Sequence, residues 1–251
     1  MESFCRIKAV ATDLDGTLTI DRKSYFMPTE VIDAVRELSR VGVKVIIVTA
    51  NCFPISIGLA RYLGFTGVVC ENGCIISTVA EPFRNTPYSL TRSSARELAR
   101  KIAGELKDIV RESWQNEFRK HDYALITRDK SMHMEAIRLI LDVMGEEEKK
   151  KFRVSSSGYA IHLTPVECSK LRGLKELLRV LGVRIEETLG IGDSYIDKEF
   201  VTACGFSAAV SNADDELKSS VDIITKKQSG YGFIEIAQEI VKAKKLKCNK
   251  K

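Results

Sequence analysis

Short β-branched runs alternate along the chain with amphipathic stretches whose apolar residues recur every three or four positions. The runs fall at 7–12, 43–48, 67–70, 188–191, 207–210 and 221–225, and helical patterns lie between them at 28–40, 54–63, 169–181, 195–203, 213–219 and 233–245. Strands that are apolar on both faces and separated by helices predict a parallel sheet covered on both sides, an α/β fold of Rossmann-like type. Right-handed crossovers then place every strand's carboxyl end on one edge of that sheet.

The rhythm breaks between residues 81 and 158. One helix is expected there with Leu98, Ile102, Leu106, Ile109 and Val110 on one face, and a second with Met134, Ile137, Leu141 and Met144, closing near Gly145. Strand-like pieces surround them at 118–127 and 152–163, the latter a hairpin turning near Ser157 and Gly158. The expected organisation is therefore a core from residues 1–80 and 159–251, with an α+β cap at 81–158 inserted after the third strand.

Composition changes this picture little. The chain has 251 residues, 44% hydrophobic and 29% charged, which excludes intrinsic disorder and fits one or two domains. The formal charge of +5 belongs to the C-terminus, where six lysines and no acid occupy the last ten positions. Without them the chain is slightly acidic, so charge predicts no nucleic-acid face. Seven cysteines without a C-x-x-C pair, and no N-terminal run of signal-peptide layout, predict a reducing, cytoplasmic setting. No apolar stretch approaches the about 18 residues of a membrane span.

The chemistry concentrates in carboxylates. Asp13-Leu14-Asp15-Gly16-Thr17 leaves the first strand with two acids two residues apart, released into a glycine turn above the sheet. An EF-hand in this register would need acidic ligands where Ala11 and Arg22 stand, so calcium binding of that kind is excluded. A second acidic phrase, Gly192-Asp193-Ser194-Tyr195-Ile196-Asp197, follows another strand and should reach the same edge. Asp13, Asp193 and Asp197 brought together would repel one another, and oxygen-only ligands favour Mg²⁺ over Zn²⁺ as the counter-charge. Tyr195 stands where a dinucleotide fingerprint would need its third glycine. Thr49, ending the second strand, offers a hydroxyl and nearby backbone N–H groups to a phosphate. Lys170 follows a plausible helix cap, Ser169, where a cation opposes the helix dipole by about 0.3–1 kcal/mol unless an anion sits beside it.

These four segments together resemble the motifs of the haloacid dehalogenase superfamily. The insertion after the third strand is similar to its Cof-type subgroup. Thr49-Ala50-Asn51, Glu71-Asn72-Gly73, Tyr159-Ala160-Ile161-His162-Leu163 and the Lys170 to Gly173 spacing resemble the archaeal phosphoglycolate phosphatases within it. The resemblance implies a phosphomonoester hydrolase acting on a small phosphorylated metabolite, with phosphoglycolate preferred. It implies Asp13 as nucleophile and Asp15 as general acid and base. It also implies Thr49, Asn51 and Lys170 on the substrate, and Mg²⁺ held by Asp13, Asp193, Asp197 and the backbone carbonyl of Asp15. A sugar-phosphate or broad small-metabolite phosphatase, a phosphomutase and a non-hydrolytic phosphate-binding regulator remain the alternatives. Ile196 departs from the pattern, which usually has asparagine there. His121, His133 and His162 are expected to be ordinary surface or cap histidines, Trp114 to pack in the small core, and Arg119 and Arg128 to lie at a solvated edge. The oligomeric state is not set by any of these features.

Overall fold

The computed structural model describes residues 2–79 and 86–248. The chain runs through β1 (Ala9–Thr12), α1 (Thr29–Arg40), β2 (Lys44–Val48), α2 (Phe53–Leu63), β3 (Gly67–Cys70), β4 (Ile75–Thr78) and β5 (Tyr88–Ser89). It continues through α3 (Arg96–Glu105), β6 (Val110–Glu112), β7 (Tyr123–Thr127), α4 (His133–Val143), α5 (Glu146–Lys151), β8 (Phe152–Ser156) and β9 (Ile161–Pro165). The last part holds α6 (Lys170–Leu181), β10 (Thr188–Gly192), α7 (Lys198–Ala203), β11 (Phe206–Ala209), α8 (Asp215–Lys218), β12 (Ile223–Ile224) and α9 (Ser229–Cys248).

Eight strands form one sheet in the order β12-β11-β10-β1-β2-β3-β4-β5. The first six are parallel, as the doubly apolar runs predict. Their central members bury nearly every residue, which leaves no polar face to mark an alternation. β4 and β5 extend the sheet antiparallel, two strands the hydrophobic pattern does not separate from the cap. The link from β3 to β4 is too short for a parallel crossover, so the chain must double back. It does so through Glu71, Asn72 and Gly73, all left-handed, with φ of 49°, 53° and 92°.

The second sheet is antiparallel, in the order β6-β7-β9-β8, and buries its own cluster of Leu98, Ile102, Val110, Tyr123, Leu125, Ile140, Ile161 and Leu163. The hairpin around Ser157 and Gly158 is present as β8 and β9. Four local expectations fail. α3 stops at Glu105, and Val110 opens β6, because an Ile-Val pair at helical spacing is equally a strand start. α4 buries Ala136 and Ile140, with Met144 just beyond it, whereas Met134 and Leu141 face solvent. Residues 118–122 form no strand, and Trp114, in a 3₁₀ turn at Trp114–Glu117, is exposed instead of packed. The expected boundary near residue 80 lies outside the described residues. No helix among the described residues is long and apolar enough to cross a membrane.

Candidate active site

β1 and β10 lie side by side with Thr12 opposite Ile191, so the chain leaves the sheet at Asp13 and Asp193 on the same edge. From β1 the chain passes to β2 on one side, while β10 continues the sheet on the other. Such a switch point opens a crevice beyond the strand ends. Gly16 has φ +92°, and a Cβ there would run into the carboxylate of Asp193. A Cβ at Gly192 would sit 2.7 Å from Asp197 Oδ2. The two glycine turns thus let the acids close on one another.

Asp13, Asp193 and Asp197 each place a carboxylate oxygen within 4.8 Å of the others, and all three are buried. Lys170, the first residue of α6, donates from Nζ to Asp13 Oδ1 at 2.7 Å and to Asp197 Oδ1 at 2.6 Å. Its helix is capped by Ser169, whose hydroxyl accepts from the Arg172 N–H. The cation that opposes the dipole is therefore stabilised by two carboxylates. Burial alone would lower the Lys170 ammonium, but Asp13 and Asp197 outweigh it and hold it above the ordinary lysine range. Burial, then repulsion from Asp197 and Asp193, pushes Asp13 well above the usual carboxylate range against the pull of Lys170. Asp193 rises to about 6, chiefly by burial and next by Asp197. Buried carboxylates held this close, with oxygen donors only, fit a hard dication.

Asp15 is backed by Asn51, whose Nδ2 donates to its Oδ2 at 2.7 Å. Burial raises the Asp15 carboxyl, with Asn51 and Lys170 opposing. Thr49 is buried at the end of β2, where its Oγ1 accepts from the Asn51 backbone N–H and side-chain amide. The N–H groups expected near Thr49 are largely engaged: that of Thr49 by Val69 O, that of Asn51 by Thr49 and that of Cys52 by Gln115. What Thr49 keeps to offer a phosphoryl oxygen is its hydroxyl proton.

Arg22 is the site residue that the sequence does not announce. Its Nε lies 2.5 Å from Asp193 Oδ2 and its Nη1 2.8 Å from Asp214 Oδ1, while Thr17 Oγ1 donates to Asp193 Oδ1 at 3.0 Å. Ile196 lines a cavity of about 220 Å³ beside Lys170, together with Asn72, Arg153, Ser155 and Glu199. A larger groove of about 590 Å³ between α1 and α9 holds none of these acids. Of the arginines expected at a solvated edge, Arg128 is exposed and bonds the Lys107 carbonyl. Arg119 is buried and pairs with Asp122 at 2.6 Å, because its neighbours form a loop folded against the first sheet instead of a strand. His162 and His121 are buried as well, His162 against Asp122 at 2.9 Å.

The sequence profile of the haloacid dehalogenase-like hydrolases matches residues 10–136 and 88–236, the segments that carry all four acidic and basic motifs. The chain belongs to the haloacid dehalogenase-like hydrolases. Among curated relatives, the phosphoglycolate phosphatase of Staphylothermus marinus is 41% identical, over 94% of this chain and 98% of its own. Phosphoglycolate phosphatase 1 of Saccharolobus solfataricus is 36% identical, over 94% and 96%. The fold matches a solved Thermoplasma acidophilum protein with a TM-score of 0.76 at 22% identity, covering 93% of this chain and 98% of that one. A haloacid dehalogenase-like hydrolase from Bacteroides thetaiotaomicron matches at 0.75 and 18%, over 93% and 99%. The architecture expected of the family is present, a mainly parallel α/β sheet with a separate antiparallel sheet.

Proposed function

We propose that this hydrolase is a Mg²⁺-dependent phosphomonoesterase, with phosphoglycolate as its preferred substrate and glycolate and phosphate as products. The observation that carries the phosphatase reading is the meeting of Asp13, Asp193, Asp197 and Lys170 at one strand edge, with Asp15 two residues beyond Asp13. Asp13 attacks phosphorus in line, forming an aspartyl-phosphate as the bond to the leaving alkoxide breaks. Asp15 gives that alkoxide its proton and then takes one from the water that releases phosphate. Lys170 and the Thr49 hydroxyl hold phosphoryl oxygens as charge spreads over them. Asp13, Asp193, Asp197 and the backbone carbonyl of Asp15 would hold the Mg²⁺, which when bound supplies Lewis-acid neutralisation at the phosphoryl group.

The substrate choice is supported by the shared name of the curated relatives and by the cavity beside Lys170, where Arg153 and Ser155 of β8 offer a cation and a hydroxyl to a short carboxylate. We assign the cap to the insertion, with core residues 1–80 and 159–251 and cap residues 81–158. Pairing of Tyr88–Ser89 with β4, and of Ile161–Pro165 with β7 and β8, supports moving these bounds to about 90 and 166. The setting is cytoplasmic and the partner a small phosphorylated metabolite.

A panel of phosphoglycolate, phosphoglycerates, sugar phosphates and an aryl phosphate tests this reading. kcat/KM for phosphoglycolate should exceed that for every sugar phosphate by at least about tenfold, roughly 1.4 kcal/mol of differential transition-state binding. Chelator should abolish turnover, and Mg²⁺ without zinc should restore it. A sugar phosphate in first place overturns the substrate, and no hydrolysis at all returns the regulator alternative. Replacing Ile196 with asparagine should tighten Mg²⁺ binding or leave it unchanged, because the side chain borders the cavity and is not one of the clustered acids. A metal titration followed by thermal shift reads this out, and a large loss of affinity would show that packing here depends on isoleucine.

A further inference from the structure

The core and the inserted unit are joined by a directed chain of hydrogen bonds that ends on Asp15. Asn51 Nδ2 donates to Asp15, and Asn51 Oδ1 accepts from Gln115 Nε2 at 2.8 Å. Gln115 Oε1 in turn accepts from Arg119 Nη2 at 3.1 Å and from the Cys52 N–H at 3.0 Å. A guanidinium and a backbone N–H can only donate. They therefore turn the Gln115 oxygen towards themselves and its amine towards Asn51, which turns the Asn51 amine towards Asp15. The opposite amide orientation, equal in shape, would set an oxygen against the Asp15 carboxylate.

The start of this chain is firmly held. Arg119 is 3% exposed and fixed by Asp122, which is completely buried and also accepts from Thr164 and Asn72. Arg119 Nε is buried with no hydrogen-bond partner among the described residues, while both Nη groups are committed. From the core side, Glu71 accepts the backbone N–H groups of Lys120, His121 and Asp122 at 2.9–3.2 Å. The left-handed turn at Glu71 and Asn72 thus grips the very loop that presents Gln115 and Arg119.

We infer that Gln115 is a positioning residue for proton transfer: through Asn51 it holds the Asp15 carboxylate at the leaving group, so the acid is fully placed only when the 113–122 loop is seated on the core. This rests on the role proposed above for Asp15. A purely structural Gln115 would cap the start of α2 through Cys52 and no more.

The test uses Gln115→Glu and Gln115→Leu in the full chain with Mg²⁺. Gln115→Glu keeps the shape and the acceptor for Arg119 and Cys52 but loses the donor to Asn51, so it should melt within a few degrees of wild type. Both variants should lower kcat on phosphoglycolate by at least about tenfold, with KM within about threefold. The pre-steady-state burst of nitrophenolate from an aryl phosphate reports attack by Asp13 with a leaving group that needs no proton. Its rate should stay within about threefold of wild type. An equal fall in the burst and in phosphoglycolate turnover, or a rise in KM with kcat unchanged, overturns the inference. Wild-type protein that shows no hydrolysis and no burst would instead overturn the function on which it rests.

Discussion

Asp13→Asn is expected to give a folded protein whose phosphate release falls by at least about a thousandfold, a loss of about 4 kcal/mol or more of transition-state stabilisation. The amide is nearly isosteric and can still accept from Lys170 at the 2.7 Å position, but it cannot act as the carboxylate nucleophile. Folding should not suffer. In the folded chain Asp13 titrates well above the ordinary value of 3.8, so its ionisation opposes folding, and the penalty sets in as pH rises past that ordinary value. A neutral amide removes one of three mutually repelling charges, and at neutral pH the metal-free variant should melt at or above the wild-type temperature. A circular-dichroism melt beside a phosphate-release assay decides it. Retention of more than about a tenth of the wild-type rate, a loss under about 1.4 kcal/mol, would falsify the covalent role.

The residues of this cluster are legible in the sequence because each sits at a marked position. Asp13 and Asp193 directly follow buried β-branched runs, Asp197 lies one short turn beyond, and Lys170 follows a serine that caps its helix. Parallel topology does the rest by sending those strand ends to one edge. Arg22 carries no such mark. It lies in a stretch without periodicity, and its partners Asp193 and Asp214 are 171 and 192 residues away. The Asn51 to Gln115 bond is equally silent, since neutral amides neither add charge nor follow an apolar period. Arg119 misleads for a different reason: an arginine beside a strand-like phrase reads as solvated until the loop around it folds onto Glu71. The overlong helix expected in the insertion has a simple cause: Ile109 and Val110 satisfy both periods, and only packing against β7 chooses between them.

Lys170→Met tests the same cluster from the opposite sign. The ammonium is the group that contacts both Asp13 and Asp197, whereas Arg22 reaches Asp193. Its removal leaves buried carboxylates uncompensated, which typically costs about 3–5 kcal/mol and, for a chain of this size, should lower the metal-free melting temperature by roughly 6–20 °C. Mg²⁺ should then raise the melting temperature of the variant more than that of the wild type, because the dication no longer shares its ligands with a lysine. Turnover should nevertheless stay down by about a thousandfold or more with Mg²⁺ saturating, since on the proposed mechanism Lys170 meets a share of the phosphoryl charge that the metal does not take over. A metal-rescued variant that keeps over about a tenth of wild-type turnover would confine Lys170 to stability. Adding Asp13→Asn to Lys170→Met should return part of the lost metal-free stability, because the cation and the acid it neutralises leave together. A double-mutant cycle on the melts would then give a coupling larger than the few tenths of a kcal/mol expected of independent sites.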